Sequence, residues 1–453
     1  MRLEKTKFHF VGVGGIGMCG LAELLHNMGA IVSGSDLAEN ANTERLKELG
    51  VKIFKGHAAT NVGDADVVVY SSAVQNSNPE IADARAKQIP LIPRAEALAE
   101  IMRIKRGVAV AGTHGKTTTT SMTSAIFMEA NLKPTIFVGG RFELIKSTAL
   151  LGNGEWMVAE ADESDGSFHK LSPEIAIITN IDSDHLDHFK TFENLQKSFY
   201  DFALRVPFYG ATIICGDDPK VHTLFENFPK RALFYGFDEK NDFILQGEQG
   251  NYSLFRRDYK TGQKTKLGDF ALKVPGRHNA LNATAAILAG ITAGVDFATC
   301  AKGLQRFEGV DRRFHFKGEK NRIRVYDDYG HHPTEVRAVL QAFREKYPDK
   351  RLVVYFQPHR YSRTQHCWHD FTTCFSQADQ LLITDIYPAG ETPIPGIHSE
   401  KLVEEMKHKN AEYFVRDPLS SDKIRRRLQP GDVFITLGAG DGWKLGLEVL
   451  NKL

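Results

Sequence analysis

A chain of 453 residues exceeds what one hydrophobic core usually holds, so about three domains are expected. Lys and Arg (57) nearly balance Asp and Glu (56), and a formal net charge of +1 gives no broad basic surface of the kind nucleic-acid and membrane-surface binders use. The five cysteines (Cys19, Cys215, Cys300, Cys367, Cys374) are scattered and without CxxC spacing, which points to neither a disulfide framework nor a zinc site.

Residues 1 to about 104 alternate short apolar runs with helical patterns. Phe8–Val13, Ala30–Gly34, Val51–Phe54 and Val67–Ser71 read as strands, and Gly17–Met28, Thr43–Leu49 and Asn78–Lys87 as helices. Such alternation implies a parallel sheet with helices on its faces. The first run is too short for a signal peptide and leads straight into a glycine loop. No apolar stretch is long enough to span a bilayer, and a cytoplasmic location is expected. A second segment, 105 to about 316, opens with Gly107–Ala111 and adds strands at Glu155–Glu160, Ile175–Thr179 and Ala211–Cys215, then an alanine-rich helix near Asn279–Ala293. The third segment, 317–453, repeats the strand–helix rhythm at Ile323–Asp327, Leu352–Phe356, Gln380–Thr384 and Asp432–Leu437. Its helix after Pro333 shows Val336, Val339, Leu340 and Phe343 on one stripe. The expected fold is therefore α/β in three domains, Rossmann-like at both ends around a central ATPase-type parallel sheet.

Chemistry concentrates at strand ends. The strand ending at Ala111 runs into Gly112-Thr113-His114-Gly115-Lys116-Thr117-Thr118 and then a helix, the context of a phosphate loop. Backbone N–H groups there turn around phosphate oxygens, Lys116 supplies charge at the β,γ-phosphates, and the Thr117 hydroxyl suits Mg²⁺. Val110 stands where the more common spacing has its first glycine. An earlier loop, Gly12-Val13-Gly14-Gly15-Ile16-Gly17, also joins a strand to a helix, with Asp36 past the second strand. It suits a diphosphate-bearing ligand, and NAD, FAD and a UDP-sugar all satisfy it. Ser71-Ser72-Ala73 sits at a strand end of the same segment. Glu160 and the run Asn180 to His188, including His185, end two strands expected to neighbour each other at the mouth of the phosphate loop. Asp327–Pro333 and Phe356–Arg363 end strands of the third segment, where guanidinium groups suit a carboxylate or phosphate.

Together, Phe10–Met18, Ala111–Thr119, Glu160–Asp165, Pro275–Asn279, Asp328–Glu335, Phe356–Thr364 and Tyr387–Glu391 resemble the Mur ligase family nearly end to end, most closely its alanine-adding branch. The resemblance implies ATP-dependent joining of L-alanine to UDP-N-acetylmuramate through an acyl phosphate, with ATP as substrate and Mg²⁺ as cofactor. It implies that Lys116 stabilises the transferring phosphoryl group, and that Thr117, Glu160 and His185 hold metal. His278, Asn279, Asn282 and Asp328 join Gly112–Thr118 at the nucleotide. Gly14, Gly15, Asp36, His57, Ser72 and Arg94 fall where the family holds the UDP-sugar, and His359, Arg360 and Arg363 where it holds the amino-acid carboxylate. Relatives with a carbamylated lysine point to Lys190 or Lys197, neither of which aligns, so none is assigned. The nearest rival is a murein peptide ligase taking a recycled tripeptide. A rival of another class is an NAD-dependent oxidoreductase, which leaves the central phosphate loop unexplained.

Overall fold

The computed structural model describes residues 3–71, 73–164, 166–184 and 186–453. Three sheets follow one another along the chain. The first has five strands, in the spatial order Lys52–Lys55, Ile31–Asp36, Lys7–Val11, Val67–Tyr70 and Leu91–Pro93, all parallel. The order reverses between Lys7–Val11 and Val67–Tyr70, and crevices at such reversals are where open α/β sheets take ligands. Gly12–Gly17 leaves the sheet there.

The second sheet has ten strands. Its centre is Arg106–Ala111, paired in parallel with Ile175–Ile178 on one side and Trp156–Glu160 on the other. These strands read as unbroken apolar runs because helices cover both faces, and nearly every residue in them is buried. Toward one edge lie Thr135–Phe142 and the antiparallel Ser147–Leu150. Toward the other lie Ala211–Cys215, Ala232–Gly236, Phe243–Glu248, Asn251–Arg257 and Lys264–Ala271. The last two of these are not apparent in the sequence, because they are polar and exposed along much of their length, as in the mixed burial of Asn251–Arg257.

The third sheet orders His315–Lys320, Ile323–Asp328, Val433–Leu437, Leu352–Phe356, Gln380–Ile383 and Ala411–Tyr413. Only the first pairing is antiparallel. The helix Pro333–Lys346 starts with a capping box, His332 and Glu335 each bonding the other's backbone end, and buries Val336, Val339, Leu340 and Phe343 on the sheet.

The chain forms two compact units. One comprises Met1–Gln246, Tyr252–Ala271 and Leu281–Phe307, and so holds the first sheet and the body of the second. The other comprises Gly247–Asn251, Leu272–Ala280 and Glu308–Leu453. Within the first unit the helix Ile16–Asn27 lies against the hairpin of the second sheet. Glu23, 5% exposed, receives both arms of Arg45 (2.9 and 2.6 Å) and the Ser147 hydroxyl (3.1 Å). No described helix is long and apolar enough to cross a membrane.

Candidate functional site

The loop Gly112–Thr118 is fixed by the strand end beside it. Thr113 N–H donates to Asn180 O (3.1 Å) and His114 N–H to Asn180 Oδ1 (2.9 Å). Asn180 Nδ2 (3.0 Å) and the Thr179 hydroxyl (2.6 Å) both donate to His114 O. Asp182 N–H donates to Thr113 Oγ1 (2.9 Å), and the His114 ring meets Asp182 Oδ2 at 3.1 Å. Gly112 has φ 132°, and a Cβ there would overlap the Thr179 hydroxyl, so only glycine lets the loop turn this closely. Asn282, 6% exposed, packs against Gly115. The helix Lys116–Glu129 then runs into the core despite its run of hydroxyls. Thr120, Thr123 and Ser124 donate to carbonyls four residues back, at 2.8, 2.8 and 2.7 Å, which settles their buried oxygens. Thr117 is half-buried in the first turn, and Thr118 is 9% exposed.

The Lys116 ammonium donates to Gly112 O (2.6 Å), Thr113 O (3.0 Å) and Glu163 Oε1 (2.8 Å). Burial alone would lower its pKa, but Glu163, Glu160 and Asp162 outweigh burial and raise it, so the lysine is held cationic. Glu163 is 1% exposed, and burial pushes its carboxyl up to about 7 against the opposing pull of Lys116. Nothing in its spacing marks Glu163 in the sequence, where it is one of four acids in a short run. Glu160 ends its strand opposite Val110 and accepts Gly139 N–H at Oε2 (2.9 Å). One expectation is corrected here. Trp156–Glu160 and Ile175–Ile178 are not neighbours but flank Arg106–Ala111 on opposite sides, so the loop is bracketed by two strand ends. His185 and Ser72 lie outside the described residues.

Glu160 and Asp162 also line a cavity of about 290 Å³ with Gly15, Gly17, Met18, Ser71, Arg94, Phe137 and Gly139. Arg94 reaches Asp162 Oδ2 at 3.1 Å. This cavity joins the phosphate-loop side of the second sheet to the glycine loop of the first. On the first sheet, Asp36 Oδ2 accepts Gly14 N–H (2.8 Å), while Asn40 and Asn42 donate to Gly14 O (3.2 and 2.8 Å). Gly15 opens the helix as its N-cap. His57 Nδ1 lies 2.9 Å from the Ser35 hydroxyl, with Glu80 behind it, and neither Ser35 nor Glu80 was expected from sequence.

In the other compact unit, the segment Pro358–Ser362 meets Tyr387–Glu391. Arg360 N–H donates to Tyr387 O and Tyr387 N–H to Pro358 O, each at 2.8 Å. The rings of His359 and Tyr387 stack at 5.5 Å with planes 9° apart. The Ser362 hydroxyl and N–H both bond the Glu391 carboxylate (2.6 and 3.0 Å). Arg360 holds φ 71°, strained for a residue with a Cβ, and starts the short helix that buries Arg363. Burial, with Arg363 and Arg360 adding to it, lowers His359 to about 4. Asp328 is 2% exposed, accepts the N–H groups of Phe314 and Gly330 (both 2.7 Å), and is pushed by burial up to about 6. His278 is lowered by burial to about 4, and Asn279 donates to Pro275 O (2.6 Å).

Comparisons with known proteins bear on all three segments. The model of the Mur ligase family, catalytic domain, matches residues 7–106, that of the Mur ligase middle domain 110–290, and that of the Mur ligase, glutamate ligase domain 312–440. A UDP-N-acetylmuramate–L-alanine ligase of Bdellovibrio bacteriovorus is 79% identical over 453 residues, covering the whole of both chains. The crystal structure of UDP-N-acetylmuramate-alanine ligase MurC from Thermotoga maritima superposes with a TM-score of 0.81 at 29% identity, over 98% of each chain. A murein peptide ligase from Psychrobacter arcticus has a TM-score of 0.71 at 23% identity, also over 98% of each chain, and shares the fold.

Proposed function

The chain belongs to the Mur ligase family, and from that premise we propose that it joins L-alanine to the carboxylate of UDP-N-acetylmuramate at the expense of ATP. The observation that supports the reading is 79% identity to a UDP-N-acetylmuramate–L-alanine ligase along the full chain. The proposed division of labour assigns residues 1–104 to the sugar nucleotide, 105–316 to ATP and 317–453 to the amino acid, although the bound at 316 falls inside the strand His315–Lys320 of the third sheet. The proposal puts the reaction in the cytoplasm.

A carboxylate resists amines because its oxygen is a poor leaving group. In the first step a muramate carboxylate oxygen attacks the γ-phosphorus of ATP, ADP leaves, and an acyl phosphate forms. The deprotonated amine of alanine then attacks the acyl carbon, and the tetrahedral intermediate collapses with loss of phosphate. Little covalent work falls to the protein, so positioning and charge neutralisation carry the rate. Lys116, already aimed into the loop and kept cationic by Glu163, stands for the transferring phosphoryl group. The Thr117 hydroxyl and Glu160 carboxylate are hard oxygen donors beside the loop, a set that fits Mg²⁺, and His185 is the third proposed ligand. Bound there, the ion would neutralise phosphate charge. Arg94 and the glycine loop, with Asp36 and His57, are assigned to the sugar nucleotide, and Asn282 at Gly115 to ATP. Arg360 and Arg363, with His359, take the alanine carboxylate.

The test is ADP release with UDP-N-acetylmuramate, run across L-alanine, glycine, L-serine and tripeptide. L-alanine is expected to give the highest kcat/KM, and a preference for tripeptide would overturn the reading. Arg360→Lys keeps the charge but loses the planar fork. It should raise the KM for L-alanine about tenfold, with the other two KM values little changed.

A further inference from the structure

The first sheet contains a fully buried carboxylate that the reaction does not use. Glu80 is 0% exposed, yet both of its oxygens are occupied. Oε1 accepts Asn61 Nδ2 (2.6 Å) and Ala58 N–H (3.2 Å). Oε2 accepts the Ser35 hydroxyl at 2.5 Å and faces His9 Nε2 at 3.4 Å. Burial pushes this carboxyl upward, but the bonds from His9, Ser35 and Asn61 together bring it down to about 2, so it is ionised and can only accept.

That fact orders the next bond. A serine hydroxyl has one hydrogen, and Ser35 gives it to Glu80. At the 2.9 Å contact with His57 the Ser35 oxygen must therefore accept, and His57 Nδ1 must carry the hydrogen. In the neutral ring the remaining nitrogen, Nε2, is then an acceptor. Among the described residues nothing bonds Nε2, and the side chain is 13% exposed. The same Ser35 receives the N–H groups of Gly12 and Val13 on its carbonyl (2.9 and 3.0 Å), so the relay and the glycine loop share one strand end.

We propose that Glu80 is a positioning residue which, through Ser35, fixes His57 Nε2 as a hydrogen-bond acceptor and thereby selects a base offering an imide N–H. Uracil presents such a donor at N3; cytosine presents an acceptor at the same atom, and would leave two acceptors facing each other. A site built around one polar partner rejects its mismatch strongly, because the mismatched groups lose water without gaining a bond. The inference rests on the reading that this sheet holds the sugar nucleotide.

The experiment titrates uridine diphosphate and cytidine diphosphate into the full-length wild type, His57→Ala, Ser35→Ala and Glu80→Gln. Nitrogen NMR of the imidazoles in mildly alkaline buffer reports which ring nitrogen of His57 is protonated. Wild type should bear the proton on Nδ1 and prefer the uridine ligand by about tenfold or more. Ser35→Ala and Glu80→Gln should bring the preference toward parity while ATP binding stays as in wild type. Should Glu80→Gln fail to fold, Ser35→Ala carries the test alone. A wild-type His57 protonated on Nε2, or a preference that survives in the folded Ser35 and Glu80 variants, overturns the proposal. If His57→Ala abolishes the preference while those variants keep it, the relay is wrong and the sugar-nucleotide site stands. If His57→Ala leaves uridine binding and preference intact, the proposal falls, and the assignment of His57 to that site falls with it.

Discussion

Two loops in this chain have the same local architecture and different chemistry. Gly12–Gly17 and Gly112–Thr118 each leave a buried parallel strand and open a helix, so each offers backbone N–H groups at a positive helix end. The first is tied down by a carboxylate and two amides: Asp36 accepts the Gly14 N–H, and Asn40 and Asn42 donate to the Gly14 carbonyl, while Arg94, beside Gly17, comes from another element and bonds Asp162. The second carries a cation of its own, Lys116, fixed between two loop carbonyls and the buried Glu163. A diphosphate that only has to be held needs donors. A phosphoryl group in transit also needs charge that stays in place as the transition state forms. On the proposed function, the difference between the loops is the difference between binding and transfer.

Removing the cation should erase that difference. Lys116→Ala is expected to lower kcat by about 10³-fold or more, with sugar-nucleotide binding at the first loop unchanged. Single-turnover ADP release together with calorimetric titration of UDP-N-acetylmuramate would check both halves. Near-normal turnover in the folded variant would mean that the second loop, like the first, merely holds its ligand. Since Glu163 is buried and loses its partner, it should take up a proton in this variant, and the fold should persist.

The complementary change is at the first loop. A Cβ on Gly14 would stand within 2.8 Å of both Asp36 Oδ2 and Asn40 Nδ2, so Gly14→Val displaces the groups that hold the loop. Affinity for the sugar nucleotide should fall by about 10²-fold, as close backbone approach to the diphosphate is lost. ATP affinity should hold. Equal losses for both ligands would show that the two loops do not act separately.

The legibility of the two loops in sequence differed for a physical reason. Both glycine patterns follow apolar strands, and the strand–loop–helix signal is local, so the positions of both were readable, as were those of Lys116 at its helix start and Glu160 at its strand end. Partners brought by tertiary contact were not. Glu163 looks like any acid in an acidic run until burial at 1% exposure sets it apart, and Glu80 looks like an ordinary first-turn helix acid. The order of the strands around Arg106–Ala111 is likewise non-local, which is why Glu160 and the Asn180 run were expected side by side and instead bracket the loop. Ala232–Gly236 and Phe243–Glu248 carry only short apolar runs, and Asn251–Arg257 and Lys264–Ala271 are broken by polar, exposed positions, so their local signal is weak.

The smallest expected effect concerns stability, and it belongs to the second loop because the first has no buried cation–carboxylate pair. Burial raises Glu163 from its ordinary 4.5 to about 7, against the pull of Lys116. The folded protein therefore binds this proton more tightly than the unfolded chain does. The sign follows: the contribution is fully present below about 4.5, declines as pH rises, and is gone above about 7. Asp328, raised by burial to about 6, adds a slope of the same sign from the other compact unit, so a wild-type melt alone does not separate the two. Glu163→Gln removes one of them. Thermal melts of nucleotide-free wild type and variant across that window should give a difference in Tm that shrinks in wild type's disfavour as pH increases, while the Asp328 part cancels. A flat difference curve would mean that Glu163 is already ionised throughout. Lys116 would then sit in a fixed ion pair that ATP must break on binding.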